Sequence, residues 1–298
     1  MILNVSGRTD IVAFYSKWFL SRYKEGFVDV RNPFYPKKVS RIYFSDVDAI
    51  VFCTKNPLPI LKNLRTITKP ILFQVTLTPY KKDIEPYVPS KGLIIEAIKK
   101  ISVQIGIENV FVRYDPIFIS NVYTIDYHKK AFAHMCALLD GYVKTVIVSF
   151  LDDYKNVRKN KATLNFKAIT EEMYKEIGLS FSESARKHSM TVQTCFEDRN
   201  LVEYGFKKED CLSQKLAYQV TGKTYKPWKA RKGKKCNCVE MVDIGVYNSC
   251  SHFCKYCYAN FDELQVKRNF QNHEESSSLL LGCIQKEDCI EVRKNRYR

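Results

Sequence analysis

The chain has 298 residues, and Lys and Arg outnumber Asp and Glu 48 to 32, for a formal charge of +16. That length buries a large core without disulfide staples, and an ordinary apolar content excludes global disorder. The positive surplus favours an anionic partner (nucleic acid, a phosphorylated small molecule or an acidic protein). No stretch approaches the roughly 18 consecutive apolar residues of a membrane span, so no membrane partner is expected. The first residues carry no basic stretch ahead of an apolar run, which predicts a cytoplasmic protein whose thiols stay reduced.

Short apolar runs alternate with longer amphipathic segments along the chain. Residues 2–6 read as a buried strand, and Thr9 or Asp10 is placed to cap a helix of about 15 residues through Tyr23. Within it Val12, Tyr15, Phe19 and Tyr23 recur at helical spacing. Segments 27–31 and 39–44 flank a turn at Asn32-Pro33. Strands are then expected at 49–53, 71–77, 109–113, 145–150, 191–195 and 242–245. Helices are expected at 58–67, 92–105, 125–139 and 166–188, with weaker helical character at 210–218. Strands alternating with helices predict a parallel sheet with helices packed outside it. Seven such units favour a single α/β domain over 1–298, a (β/α) barrel, complete or partial. No G-x-G-x-x-G follows the first strand and no P-loop occurs, which argues against dinucleotide binding.

In such a barrel the active site lies where strands end. Those ends carry Arg8 and Asp10, then Lys55 and Asn56, then Gln74 and Thr76, then Arg113 and Asp115, then Ser149, and finally Thr194 and Glu197. Arg8, Asp10, Lys55, Arg113 and Asp115 are the catalytic candidates. The plain alternatives are a helix cap for Asp10 and a structural ion pair for Arg113 with Asp115.

Five of the eleven cysteines fall between Cys236 and Cys257. Cys236 and Cys238 form C-x-C, and Cys250, Cys254 and Cys257 form C-x3-C-x2-C, within a metal-binding segment at 236–260. Three thiolates hold three irons of a [4Fe–4S] cluster and leave the fourth iron open. An open position is what catalysis at a metal requires. Two alternatives stand beside this: a closed zinc site, for instance Cys236 and Cys238 with Cys254 and Cys257, and a cluster closed by Cys236 or Cys238 as fourth ligand. The other six cysteines (Cys53, Cys136, Cys195, Cys211, Cys283 and Cys289) read as small buried hydrophobes or inert thiols. His252, inside the loop, reads as a loop residue and not a ligand.

With Tyr256 before the last cysteine, the loop resembles the cluster loop of radical S-adenosylmethionine (SAM) enzymes. That resemblance implies Cys250, Cys254 and Cys257 as cluster ligands, SAM on the open iron and Tyr256 beside its adenine. It also implies polar groups on other strands holding SAM, for which Asn56, Thr76 and Ser149 are the candidates. A reductant such as ferredoxin or flavodoxin would supply the electron. From end to end the chain resembles domain-of-unknown-function family 1848, described as having such a cysteine cluster at its C-terminus. The motifs are Ser6-Gly7-Arg8-Thr9-Asp10-Ile11, Val30-Arg31-Asn32-Pro33-Phe34, Thr54-Lys55-Asn56-Pro57, Arg113-Tyr114-Asp115-Pro116-Ile117, and Cys236-Asn237-Cys238 through Tyr258-Ala259-Asn260. In radical-SAM enzymes the loop follows the first strand, whereas here it follows the last. First and last strands are neighbours in a barrel, so a circularly permuted order is expected, with the strand at 242–245 beside that at 2–6. The competing reading is a non-catalytic nucleic-acid-binding protein stabilised by zinc or a closed cluster, its basic run at 229–235 flanked by Tyr225 and Trp228.

Overall fold

The structure, a computed structural model, describes residues 1–195, 197–228 and 237–294. Cys236, the basic run at 231–235 and residues 295–298 lie outside the described residues. The strands are β1 (Ile2–Val5), β2 (Phe27–Arg31), β3 (Lys38–Tyr43), β4 (Ala49–Thr54), β5 (Ile71–Thr76), β6 (Val110–Ile117), β7 (Thr145–Phe150), β8 (Thr191–Thr194), β9 (Met241–Asp243) and β10 (Cys289–Val292). The helices are α1 (Ile11–Phe14), α2 (Ser16–Glu25), α3 (Lys91–Ile105), α4 (Ile125–Leu138), α5 (Lys155–Lys159), α6 (Lys161–Leu164), α7 (Glu171–Lys187), α8 (Gln214–Thr221) and α9 (Glu263–Gln271). Among the described residues no helix is long and apolar enough to cross a membrane.

Seven strands form one parallel sheet in the order β8-β7-β6-β5-β4-β1-β9. The last strand lies beside the first, as expected: Ile2 pairs with Met241, Leu3 with Val242 and Asn4 with Asp243. Strands buried on both faces need near-continuous apolar runs, which is why Ala49–Thr54 and Ile71–Thr76 could be read directly. Their side chains alternate. Leu3, Ile50, Phe52, Phe73, Val112 and Val146 join the large core under the helices. Ile2, Val51, Leu72, Phe111 and Ile147 face the other way and pack on Leu212, Ala217, Tyr225 and Val239 from the segment between β8 and β9. The inner face is thus plugged by that segment at one end. Strands β8 and β9 are the two edges of the sheet among the described residues. Strands β2 and β3 pair antiparallel and β10 adds to β3, in a small separate sheet.

Several boundaries differ from expectation for identifiable reasons. The first helix is interrupted at Tyr15, whose hydroxyl donates to the Ser249 carbonyl at 2.6 Å. Residues 58–66 form 3-10 turns instead of an α-helix, in keeping with Pro59 at their start. Helix α7 begins at Glu171 and not at 166, because the Lys167 amide bonds to Ile119 and Thr170 accepts from Met173 as the cap. Strand β9 stops at Asp243, whose carboxylate takes the Gly245 amide at 2.7 Å and turns the chain.

Candidate functional site

A cavity of about 490 Å³ opens on the inner face of the sheet, lined by all seven strands or the residues just beyond them. Its polar floor is made by Asn4, Cys53, Gln74, Thr76, Arg113, Asp115 and Ser149, and its opposite wall by Cys250, Cys254, Tyr256, Cys257 and Tyr258. Seven strands laid flat span about 29 Å at about 4.8 Å per spacing. Cys195 after β8 and Met241 on β9 line the same cavity, so the sheet must curl around it.

Hydrogen bonds from the first strands fix the cysteine loop. Asp10 caps α1 by accepting from the Ala13 amide at 2.9 Å and also accepts from Thr54 Oγ1 at 2.7 Å and the Lys55 amide at 2.8 Å. His252, 2% exposed, completes the set with Nε2 at 3.0 Å from Asp10 Oδ2. Asp10 is therefore an anchor between β1, β4 and the loop, and His252 is committed to it. Tyr258 donates to the Gly7 carbonyl, and Asn260 bridges back to the Cys250 backbone. The Ala259 amide lies 3.4 Å from Cys257 Sγ, a donor of the kind that supports a cluster thiolate. Burial pushes the thiols of Cys250, Cys254 and Cys257 upward. They are neutral until a metal takes their protons.

Behind the loop, Glu85 lies 1% exposed in the Pro-rich connection after β5. It accepts from Lys55 Nζ at 2.8 Å and Thr78 Oγ1 at 2.6 Å, and also from Lys91 and the Tyr256 hydroxyl. Burial would raise its pKa, but the two ammonium groups win and hold it at about 2. Lys55 also stands 5.2 Å from the centre of the Tyr256 ring. Arg113 forks onto Asp115 at 2.6 and 3.0 Å and reaches Gln74 Oε1 at 3.1 Å, while Ser149 donates to the other Asp115 oxygen. The register of β6 against β7 shifts between Tyr114 and Ile117. Such irregularities re-aim side chains at functional sites. Across from them, Glu197 accepts from the Phe150 amide at 2.7 Å. Burial, then Asp152, Asp115 and Asp198, push its carboxyl up to about 8.

Thus Asp10, Lys55, Thr76, Arg113, Asp115, Ser149, Tyr256, Cys250, Cys254 and Cys257 all line one cavity. Arg8 and Asn56 do not. Arg8 reaches back to Asp243, with Nε at 3.2 Å from Oδ1 and a second bond at 2.8 Å to the carbonyl. Asn56 caps the turn at Leu58 with its side-chain oxygen, 3.2 Å from that amide. Cys238 is not beside the loop: its sulfur lies 3.3 Å from Cys211 in the inner plug. Cys236 lies outside the described residues. Sequence reasoning missed Glu85, Asp243 and the contact between Cys211 and Cys238. Asp243 alone takes donors from Asn4, Ser6, Gly7 and Arg8.

The sequence profile of a family described as Domain of unknown function (DUF1848) matches residues 2–259. The chain belongs to this family. The match to DUF1848 takes in every cavity-lining strand and the cysteine loop. No curated protein matches the chain. A crystal structure of a protein assigned as an alpha-L-fucosidase from Bacteroides thetaiotaomicron is similar at 10% identity, covering 74% of this chain and 80% of that one, with a TM-score of 0.24. So distant a likeness bears on neither the DUF1848 fold nor its chemistry. Among the described residues of the DUF1848 chain, no three His, Cys, Asp or Glu side chains are arranged to hold a single metal ion. A [4Fe–4S] cluster asks for something else, since each cysteine binds a different iron.

Proposed function

We propose that the chain is a radical-SAM-like iron–sulfur enzyme built on a circularly permuted, partly closed (β/α) barrel. The observation that carries this reading is the placement of Cys250, Cys254 and Cys257 in one cavity wall, facing the polar ends of the sheet. The donor set suits the group: three soft thiols from one loop, an amide directed at one of them, and the loop's His252 already engaged by Asp10. The cavity is also within the usual size for a small-molecule site.

Bound there, a [4Fe–4S] cluster would supply one electron to cleave SAM and give a carbon radical that abstracts hydrogen from a substrate. The chain's own residues have definable parts. Tyr256, locked by Glu85, offers a fixed aromatic face on which an adenine can lie. Thr76 and Ser149 present hydroxyls from neighbouring strands, and Arg113, held by Asp115, offers its remaining face to a carboxylate. Glu197, with its raised pKa, can keep a proton near neutral pH and pass it within the cavity. The lining holds Asp10, Asp115, Asp152 and Glu197 against Lys55 and Arg113, so the chain's positive surplus lies elsewhere. A small molecule with one anionic group fits this lining better than nucleic acid.

Anaerobic reconstitution with iron and sulfide, followed by EPR of the dithionite-reduced protein with and without SAM, tests the reading. A [4Fe–4S] signal that changes on adding SAM and vanishes in the Cys250→Ala variant is expected. A signal indifferent to SAM, or zinc in place of iron, sinks it.

A further inference from the structure

Two cysteines outside the loop meet in the inner plug. Cys211 lies on the stretch that follows β8, and Cys238 precedes β9 by three positions. Their sulfurs are 3.3 Å apart. The backbone holds them in register. On one side the Asn237 amide donates to the Asp210 carboxylate at 3.0 Å, and on the other the Val239 amide donates to the Leu212 carbonyl at 3.0 Å. The Trp228 amide fixes the Cys238 carbonyl at 3.0 Å. Backbone segments joined by such bonds stand about 5 Å apart, inside the roughly 4.4–6.8 Å between α-carbons that a disulfide spans. The two thiols differ in access. Cys211 lines the cavity, whereas Cys238 is 1% exposed and stands behind it, outside the lining. Gln74 links Cys211 to Arg113, donating to the Cys211 carbonyl at 3.3 Å and accepting from the guanidinium at 3.1 Å.

We propose that Cys211 and Cys238 form a redox modification site for a small hydroperoxide, with Cys211 as the attacking thiol and Cys238 as the resolving one. A peroxide entering the cavity meets Cys211 first. The Cys211 sulfur attacks one peroxide oxygen: an S–O bond forms, the O–O bond breaks, and the thiol proton leaves with the alcohol or water released. Cys211 is then a sulfenic acid, oxidised by two electrons. The Cys238 sulfur displaces its hydroxyl, which departs as water with the Cys238 proton, and the S–S bond closes. The sulfurs approach by only about 1.2 Å to reach the roughly 2.05 Å of that bond. The thiolate is the reactive form, and a nearby guanidinium favours it. Hydrogen bonds from the thiols of Cys195 and Cys238, and then the charge of Arg113, lower the pKa of Cys211 against the effect of burial. Closing the bond draws the Cys211 sulfur away from the cavity wall beside Gln74 and Arg113, so oxidation changes the lining. A thiol reductant restores it. The proposal stands on the plug and does not rest on the cluster at Cys250, Cys254 and Cys257.

The test treats the reduced full chain with hydrogen peroxide, quenches by alkylation and maps every cysteine by mass spectrometry. The exposed Cys283 and Cys289 serve as controls within the same chain. A Cys211–Cys238 disulfide, reversed by dithiothreitol, is expected before either control is modified, at about tenfold their rate. Cys238→Ser should stop the reaction at Cys211, trapped there as the dimedone adduct of the sulfenic acid. Cys211→Ser should leave Cys238 unmodified over the same time. Should either variant not fold, brief peroxide treatment of the native chain with dimedone present gives the same answer, since Cys211 alone of the pair should carry the adduct. Three results overturn the proposal: Cys211 and Cys238 still free once Cys283 and Cys289 are oxidised, a disulfide from Cys211 to Cys195 instead, or dimedone on Cys238 in Cys211→Ser at the native rate. Failure of the cluster reading leaves each of these readouts untouched.

Discussion

Nε2 of His252 lies 3.0 Å from Oδ2 of Asp10, a residue 242 positions away in the chain. Through this one contact the cysteine loop is held to the turn after the first strand. Asp10 receives three other donors besides His252, from Ala13, Thr54 and Lys55. The two partners are therefore unequal. His252→Ala removes one donor and leaves the carboxylate solvated by the rest, at a cost of about 1–2 kcal/mol. Asp10→Ala strands every donor and removes the cap of α1, at a cost of roughly 3 kcal/mol or more. Urea unfolding of both variants checks the order, and equal losses would contradict the role given to Asp10.

Glu85 balances two ammonium groups in the interior, so the pair is strongest as a set. Glu85→Gln leaves Lys55 and Lys91 facing each other with half their acceptor gone, and a loss of about 3–5 kcal/mol is expected. The pH dependence follows from the direction of the shift. The folded pKa of about 2 lies below the ordinary glutamate value of 4.5. The contribution of Glu85 is therefore full above pH 4.5 and fades as pH falls towards 2. Acid titration of stability should show a drop in that window for the native protein that is absent from Glu85→Gln.

Much of this was legible beforehand, for physical reasons. Strands such as Ala49–Thr54 are buried on both faces and so announce themselves as apolar runs. Parallel strands end on one rim, so Lys55, Thr76, Arg113, Asp115 and Ser149 could be assigned to one site from their positions alone. Closeness of Met241–Asp243 to Ile2–Val5 was expected from a barrel order, and the two strands do pair, in a sheet whose edges β8 and β9 stay unpaired among the described residues. Three-dimensional partnerships were not legible. Glu85 sits in a Pro-rich connection where nothing marks it as buried. Cys195 and Cys211 have no ligand spacing, because their neighbourhood is made by the plug folding back on the sheet. Arg8 stands apart from the cavity lining, bonded to Asp243, and its sequence position at a strand end looks the same in either setting.

Glu197 gives a second pH signature, of opposite sign to that of Glu85. Its folded pKa of about 8 lies above the ordinary glutamate value of 4.5. Its protonated form is favoured in the folded state, so its contribution is complete below pH 4.5 and is lost as pH rises through 8. Thermal unfolding should show stability declining between pH 5 and 8, and Glu197→Gln, which keeps the shape without the charge, should flatten that slope. Because the group faces the cavity beside Asp115 and Asp152, activity should lose its own titration near pH 8 in the same variant. An unchanged slope in Glu197→Gln would show that the carboxyl is not held neutral.

The joint between the first and last strands can be tested at Gly245. A methyl group there would stand 1.9 Å from Ser6 Oγ and 2.9 Å from Ser6 Cβ. Turning the Ser6 hydroxyl away relieves only the first contact, and it breaks the 2.8 Å bond to Asp243 and the 3.0 Å bond from the Arg8 amide. The backbone of β1 or of the turn after β9 has to move. Gly245→Ala should therefore cost roughly 1–3 kcal/mol, as overpacking of a close-fitted interior does. Ser6→Ala in the same chain should recover only part of it, since the Cβ clash remains. The cysteine loop starts five residues after Gly245, so the shift should also expose it, read as faster alkylation of Cys250 in the metal-free protein. Near-native stability together with slow alkylation would mean that β1 and β9 are not in register at this point.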